Sequence, residues 1–254
     1  MNIKMECLWN SSAICLNLFK AIHHTNPMVN ITFDEHGVHI MSMDMSKTSL
    51  VKLLLTPNSF KKYKCITPIT VGMYTETMVM ILQKAKKNEL IWKAHDNMAL
   101  SIIFLNDDQK CEFRLQAIDI DEEHLDIPEL NDNILIKVES NVLREWTDKV
   151  LMAKNDVSFE ISESNFVCSA SSTELGKVIH SEPMNGKRID TVAVRENVNI
   201  TLSFQATKSM LIFSNCGEMS IIGFSNQQPS RLKVELGDGS YLCLYVAPKI
   251  IDED

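Results

Sequence analysis

Gly37-Val38-His39-Ile40-Met41-Ser42-Met43-Asp44-Met45-Ser46-Lys47-Thr48-Ser49-Leu50-Val51-Lys52-Leu53-Leu54-Leu55 opens on the second arm of a hairpin. Its first arm is Ile31-Thr32-Phe33, and the turn between them, Asp34-Glu35-His36-Gly37, carries residue types suited to a tight reversal. The same pattern returns as Val157-Ser158-Phe159 followed by Phe166-Val167-Cys168, with Phe33 and Phe159 in equivalent places. Working outward, Leu100–Leu105 turns through Asn106-Asp107-Asp108-Gln109 into Cys111–Ile118, and Leu232–Leu236 turns through Gly237-Asp238-Gly239-Ser240 into Leu242–Val246. The echo has an offset of about 126 residues early in each half and about 131 later, which internal duplication explains economically.

Each half also carries two helical patterns. The clearest is Met78, Ile81, Leu82 and Ala85, spaced as one face of a helix that starts at Thr75–Thr77. Ile14, Leu18, Phe19 and Ile22 mark its partner; Leu143, Trp146 and Val150 mark one in the second half, and a less periodic segment runs from Thr207 to Asn215. Hairpins flanking two helices per half predict an α+β fold of two similar half-domains, each an antiparallel sheet assembly with its helices on one face.

At 254 residues, 45% apolar and 23% charged, the chain is long enough for one large core or two medium ones. No apolar run approaches the roughly 20 residues of a membrane helix, and MNIKMECLWNSS lacks the basic start and apolar centre of a signal peptide, so an intracellular protein without a membrane partner is expected. Seven cysteines with no C-x-x-C pair fit reduced thiols, read here as small buried hydrophobes. A net charge of -8 argues against a protein that coats itself with nucleic acid, but not against one that presents cations only on an inner wall.

Three separated strings converge on one family. Ser42-Met43-Asp44, Leu125-Asp126-Ile127-Pro128-Glu129 and Tyr245-Val246-Ala247-Pro248-Lys249-Ile250 resemble, in order and spacing, signature segments of the proliferating cell nuclear antigen family of DNA sliding clamps. The stretch Gly37–Leu55 resembles the corresponding family segment almost residue for residue. The resemblance implies half-domains at 1-118 and 134-254, joined by a surface connecting loop at 119-133 that is rich in carboxylates and holds Pro128. It further implies a homotrimeric ring with sheets outside and helices lining a channel for double-stranded DNA, bound without base specificity. No cofactor, metal or catalytic residue is expected. Met43, Leu50, Leu125, Ile127, Pro229, Tyr245, Ala247 and Pro248 would wall an apolar pocket for peptides of DNA polymerase, clamp loader, ligase and nuclease. Lys20, Lys84, Lys87, Arg144 and Lys149 would face the DNA; Phe113 on one copy would meet Leu175, Val178 and Ile179 on the next. The expected location is the nucleus, or a viral replication compartment if the source is a large DNA virus.

Departures from the family pattern accompany the match. Leu244 replaces an aromatic common there, Lys47 stands where a His is frequent, and Leu16, Asn17, Met80 and Gln83 occupy positions that are often basic. No lysine lies between Lys154 and Lys177, so the loop Ser162-Glu163-Ser164-Asn165 cannot carry the lysine modification known at that loop in the family. Enzymatic readings are thin. His36 and His39 sit in a hairpin, the acids from Asp119 to Glu123 read as a solvated linker, and no phosphate loop, nucleophile elbow or zinc-protease motif is present. The alternatives are a non-ring polymerase accessory subunit with the clamp fold, a member of a heterotrimeric checkpoint-type ring, and, furthest from the residues, a metal-dependent nuclease.

Overall fold

The early hairpin stands in the computed structural model, which describes residues 2–85, 88–106, 109–121, 130–184 and 186–249. Glycine is required at its turn: Gly37 has φ +129°, and a Cβ there would lie 1.9 Å from the Leu55 carbonyl oxygen. The Tyr63 hydroxyl closes the turn from the side, within 2.7 Å of the Asp34 carbonyl and 2.6 Å of the Gly37 carbonyl.

Contacts divide the chain into two units. The first comprises Met1–Met45, Val51–Leu125 and Leu236–Leu242; the second comprises Ser46–Leu50, Asp126–Glu235 and Cys243–Asp254. In chain order the earlier elements are β1 (Ile3–Trp9), α1 (Ser12–Thr25), β2 (Met28–Asp34), β3 (Gly37–Met43), β4 (Ser49–Leu55), β5 (Phe60–Cys65), β6 (Ile69–Tyr74), α2 (Thr75–Leu82), β7 (Glu89–His95), β8 (Ala99–Leu105) and β9 (Lys110–Gln116). The later ones are β10 (Ile134–Glu139), α3 (Ser140–Leu151), β11 (Val157–Ile161), β12 (Asn165–Ser172), β13 (Gly176–Pro183), β14 (Ile189–Val194), β15 (Val198–Leu202), α4 (Phe204–Phe213), β16 (Met219–Phe224), β17 (Ser230–Gly237) and β18 (Ser240–Val246). Strand order in the first set is β5-β1-β7-β8-β9 and β4-β3-β2-β6; in the second it is β14-β10-β16-β17-β18 and β13-β12-β11-β15. The two sets are identical under renumbering, so the duplication visible as an echo of hairpins extends to every strand and helix.

Each unit has an aromatic centre. In the first, Trp92 is fully buried, with Trp9, Phe19 and Phe33 edge-on at centroid distances of 4.9, 5.6 and 6.4 Å. In the second, Trp146 lies 4.5 Å from Phe166, and Phe224 packs 5.3 Å from Phe159. Trp146 Nε1 donates to Glu182 Oε1 at 2.8 Å, and the same oxygen lies 2.8 Å from Arg188 Nη1 and 3.2 Å from His180 Nε2. Three partners explain how a carboxylate that is 8% exposed is tolerated there.

The helix readings need two corrections. Ile14 is 46% exposed, and Cys15 takes the buried place beside Leu18, Phe19 and Ile22, because Ser11 caps the helix and the stripe runs 15, 18, 19, 22. Helix α2 ends at Leu82, so Gln83 and Lys84 follow it rather than extend its outer face. The cysteine expectation is also corrected. Cys7, Cys15, Cys168, Cys216 and Cys243 are buried, with burial pushing Cys168 and Cys216 up to about 12, but Cys65 is half-buried and Cys111 is exposed on β9.

Candidate functional site

Strand edges have to be paired, covered or charged, because bare backbone groups invite pairing with another chain. Edge β6 is capped by the segment leaving the first repeat: Ile118 N donates to Gly72 O at 2.9 Å, and Asn30 Nδ2 reaches Ile120 O at 3.2 Å. Edge β15 is capped the same way, with Lys249 N donating to Thr201 O at 2.8 Å. Strands β5 and β14 are broken by register shifts in their pairing with β1 and β10, and β5 also carries Lys61, Lys62 and Lys64. Strands β9 and β13 carry charges, Lys110, Glu112 and Arg114 on the one and Lys177 and Glu182 on the other, but among the described residues neither is capped by a following segment or broken by a register shift.

Those two edges hold the four residues expected at a subunit boundary. Phe113 faces the core side of β9, 5.7 Å from Phe104, and is half-buried, β9 being the edge of its sheet. Val178 and Ile179 are adjacent on β13 and so face opposite sides; Ile179 is 59% exposed, and Leu175, in the preceding turn, is 51% exposed. Glu112 on β9 is held down at about 2 by hydrogen bonds from Lys110, Arg114 and Ser101, and therefore stays charged at any ordinary pH.

The outer faces of the helices are sparsely basic. Helix α1 presents Ala13, Asn17 and Lys20, and α2 presents Glu76 and Met80, with Lys84 just beyond its end; Lys87 lies outside the described residues. On α3 the exposed positions include Asn141, Glu145, Asp148 and Lys149, and Lys149 Nζ is 2.5 Å from Glu145 Oε1. Arg144 turns away, donating from Nη1 to the Ser214 carbonyl at 2.9 Å, just past the end of α4, where a cation offsets the helix dipole. This divides the expected cations. Lys20 and Lys84 are exposed and make no ion pair among the described residues, Lys149 is paired, and Arg144 braces a helix end. Arg144→Gln is accordingly expected to cost about 1.5 to 3 kcal/mol in urea unfolding, whereas Lys149→Gln, which removes only an exposed pair, is expected to cost under about 0.5 kcal/mol.

The tail string is anchored more firmly than its sequence suggests. Ala247 N donates to Thr48 O at 2.9 Å, setting the tail beside the 46–50 loop. Lys249 Nζ is 2.5 Å from Asp156 Oδ2; Asp156 also accepts Phe204 N at 3.1 Å at the start of α4, and the Lys249 ammonium holds its carboxyl below the usual range. Leu50, Pro229, Tyr245, Ala247 and Pro248 all belong to the second unit and Met43 to the first, while Leu125 and Ile127 lie outside the described residues. Leu50 is buried, Tyr245 and Pro248 are half-buried, and Pro229 and Ala247 are exposed. Sequence reasoning assigned no role to Lys249. Its signal, a lone lysine between Pro248 and an acidic terminus, becomes legible only beside Asp156.

Among the described residues no cluster of His, Cys, Asp or Glu is arranged to hold a metal ion. His39 Nε2 lies 3.0 Å from Asp34 Oδ1, while His36 contacts Glu35, so the two imidazoles do not converge.

Residues 4–124 match the family model described as proliferating cell nuclear antigen, N-terminal domain. The chain is 25% identical over 259 residues to proliferating cell nuclear antigen of Chaetomium thermophilum, covering 98% of this chain and 100% of that one. It is 26% identical over 219 residues to DNA polymerase sliding clamp 1 of Thermococcus kodakarensis, covering 86% and 87%. It is 25% identical over 245 residues to probable DNA polymerase sliding clamp 2 of Paramecium bursaria Chlorella virus 1, covering 93% and 87%. The crystal structure of the Entamoeba histolytica proliferating cellular nuclear antigen superposes with a TM-score of 0.87 at 19% identity, covering 98% of this chain and 100% of that one, a likeness of fold.

Proposed function

We propose that the chain is a DNA sliding clamp of the proliferating cell nuclear antigen family and works as a closed homotrimeric ring that encircles duplex DNA and tethers a polymerase to it. The observation that carries the reading is the pair of open edges β9 and β13, in different repeats of one duplicated fold. A head-to-tail contact between unlike edges is heterologous, and it gives a ring when the rotation between copies closes and an open filament when it does not. Retention on DNA is then topological: the helix faces touch phosphates weakly through Lys20, Lys84, Lys87 and the partly engaged Arg144 and Lys149, and weak contacts permit sliding. Tethering raises the local concentration of the polymerase at the primer end.

Partner peptides would use Met43, Leu50, Leu125, Ile127, Pro229, Tyr245, Ala247 and Pro248, the residues that the family resemblance assigns to peptide capture, an amphipathic segment filling an apolar groove. Polymerase, clamp loader, ligase and nuclease peptides are the partners this reading assigns, in the nucleus or in a viral replication compartment. The chain itself contributes no chemistry to the reaction.

Loading onto a primed DNA circle in the presence of a clamp loader tests the topology. Protein loaded on the closed circle is expected to stay bound through a high-salt wash and to be lost when the circle is cut once. Equal retention on closed and cut DNA would overturn encirclement.

A further inference from the structure

The five-stranded sheet of the first unit has a second face that the clamp reading leaves without a role. Trp92 turns its ring toward Phe19 of α1, so its neighbours Ile91 and Lys93 point away from the helices. Cross-strand register orders the side chains on this outward face into rows. One row reads Lys62, Leu8, Ile91, Ile103, Glu112; the adjacent row reads Lys64, Glu6, Lys93, Ser101, Arg114. Leu8 and Ile91 are half-buried and Ile103 is buried, so a short apolar line of Leu8 and Ile91 lies beside a line of cations.

The cations outweigh the acids. Glu6 is shared by Lys62 at 3.5 Å and Lys93 at 3.2 Å; Glu112 is shared by Lys110 at 3.0 Å and Arg114 at 3.1 Å. Each carboxylate therefore leaves one positive charge over, and Lys64 is exposed with no ion pair among the described residues. This concentration runs against a chain of net charge -8. The equivalent face of the second unit differs, since Lys137 is matched by Glu235 at 3.0 Å and Arg231 by Asp132.

A nucleic-acid backbone would use the lysines but would cover Leu8 and Ile91 without gain, and neither row offers an aromatic ring to stack a base. An acidic peptide with an apolar stripe uses both rows. Five strands span about 19 Å across the sheet, the length of a helix of about 13 residues. We propose that this outward face docks an acidic amphipathic segment of a partner protein, its apolar stripe on Leu8 and Ile91 and its carboxylates over Lys62, Lys64, Lys93 and Arg114. The inference shares one strand with the clamp reading, since Arg114 lies on β9, the edge proposed to meet a second copy; neither the helix faces nor the tail pocket takes part.

The probe is a synthetic helical peptide of about 13 residues with a leucine stripe flanked by glutamates, titrated by fluorescence anisotropy. Binding is expected to weaken at least tenfold in Lys62→Glu/Lys64→Glu, and at least tenfold for a peptide with serine in place of leucine. A short DNA duplex is expected not to displace the peptide. Equal binding by the double variant, or by the serine peptide, would overturn the proposal. Displacement by duplex, with duplex binding also reduced in the variant, would reassign the face to phosphate. Lys64→Glu alone, at an exposed position, serves if the double variant unfolds.

Discussion

Phe113→Ala is expected to convert a wild-type trimer into single chains at micromolar concentration, measured by light scattering. The phenyl ring sits on the core side of the last strand of its sheet, packed on Phe104 at 5.7 Å and open along the flank where a partner strand would lie. Adding β13 of a second copy continues the sheet and buries the ring, and truncating a buried aromatic costs roughly 3 to 5 kcal/mol. At 1.4 kcal/mol per tenfold, each contact would weaken by about two to three and a half orders of magnitude. Ile179→Ala provides the internal comparison. Val178, not Ile179, faces the core side of β13 through its pairing with Ala170, so Ile179→Ala is expected to do less than Val178→Ala if β13 extends the same sheet layer as Phe113. A wild-type mass of one chain would favour a non-ring accessory subunit, and an unchanged trimer in Phe113→Ala would remove that ring from the boundary.

Hairpins and helices were legible because their signals are local. Alternation, turn chemistry and a repeated pattern placed the strands around Phe33, Phe159, Leu100–Leu105 and Leu232–Leu236 within a residue or two of where they form. What the sequence could not carry depends on partners far along the chain. Arg144 reads as a channel cation by helical position, but Ser214, at the end of another helix, claims its guanidinium. Lys149 reads as exposed charge, yet Glu145 one turn earlier neutralises it, a pairing that i, i+4 spacing alone would have flagged. The outward basic face is invisible in sequence for a stronger reason. Lys64, Glu6, Lys93, Ser101 and Arg114 come from five strands, and only cross-strand register sets them side by side.

The two buried tryptophans are expected to answer the same substitution differently. Trp92 is fully buried, and among the described residues its Nε1 has no hydrogen-bond partner, so it fills the first core as a hydrocarbon carrying an unsatisfied donor. Trp92→Ala should cost about 3 to 5 kcal/mol in urea unfolding, the range for emptying an aromatic site. Trp92→Phe loses area and part of the edge-on contacts with Trp9, Phe19 and Phe33, worth about 0.5 to 1.5 kcal/mol per pair, but removes a donor whose burial costs about 1 to 3 kcal/mol. The two nearly offset, and a net loss of about 1 kcal/mol or less is expected. Trp146 has no such offset. Its Nε1 is bonded to Glu182 at 2.8 Å, so Trp146→Phe loses both the ring volume against Phe166 and a hydrogen bond to a buried carboxylate, which should cost about 2 to 4 kcal/mol. If Trp92→Phe proves as costly as Trp146→Phe, packing alone governs both sites, and the hydrogen-bonding state of the indole nitrogen does not distinguish the two cores.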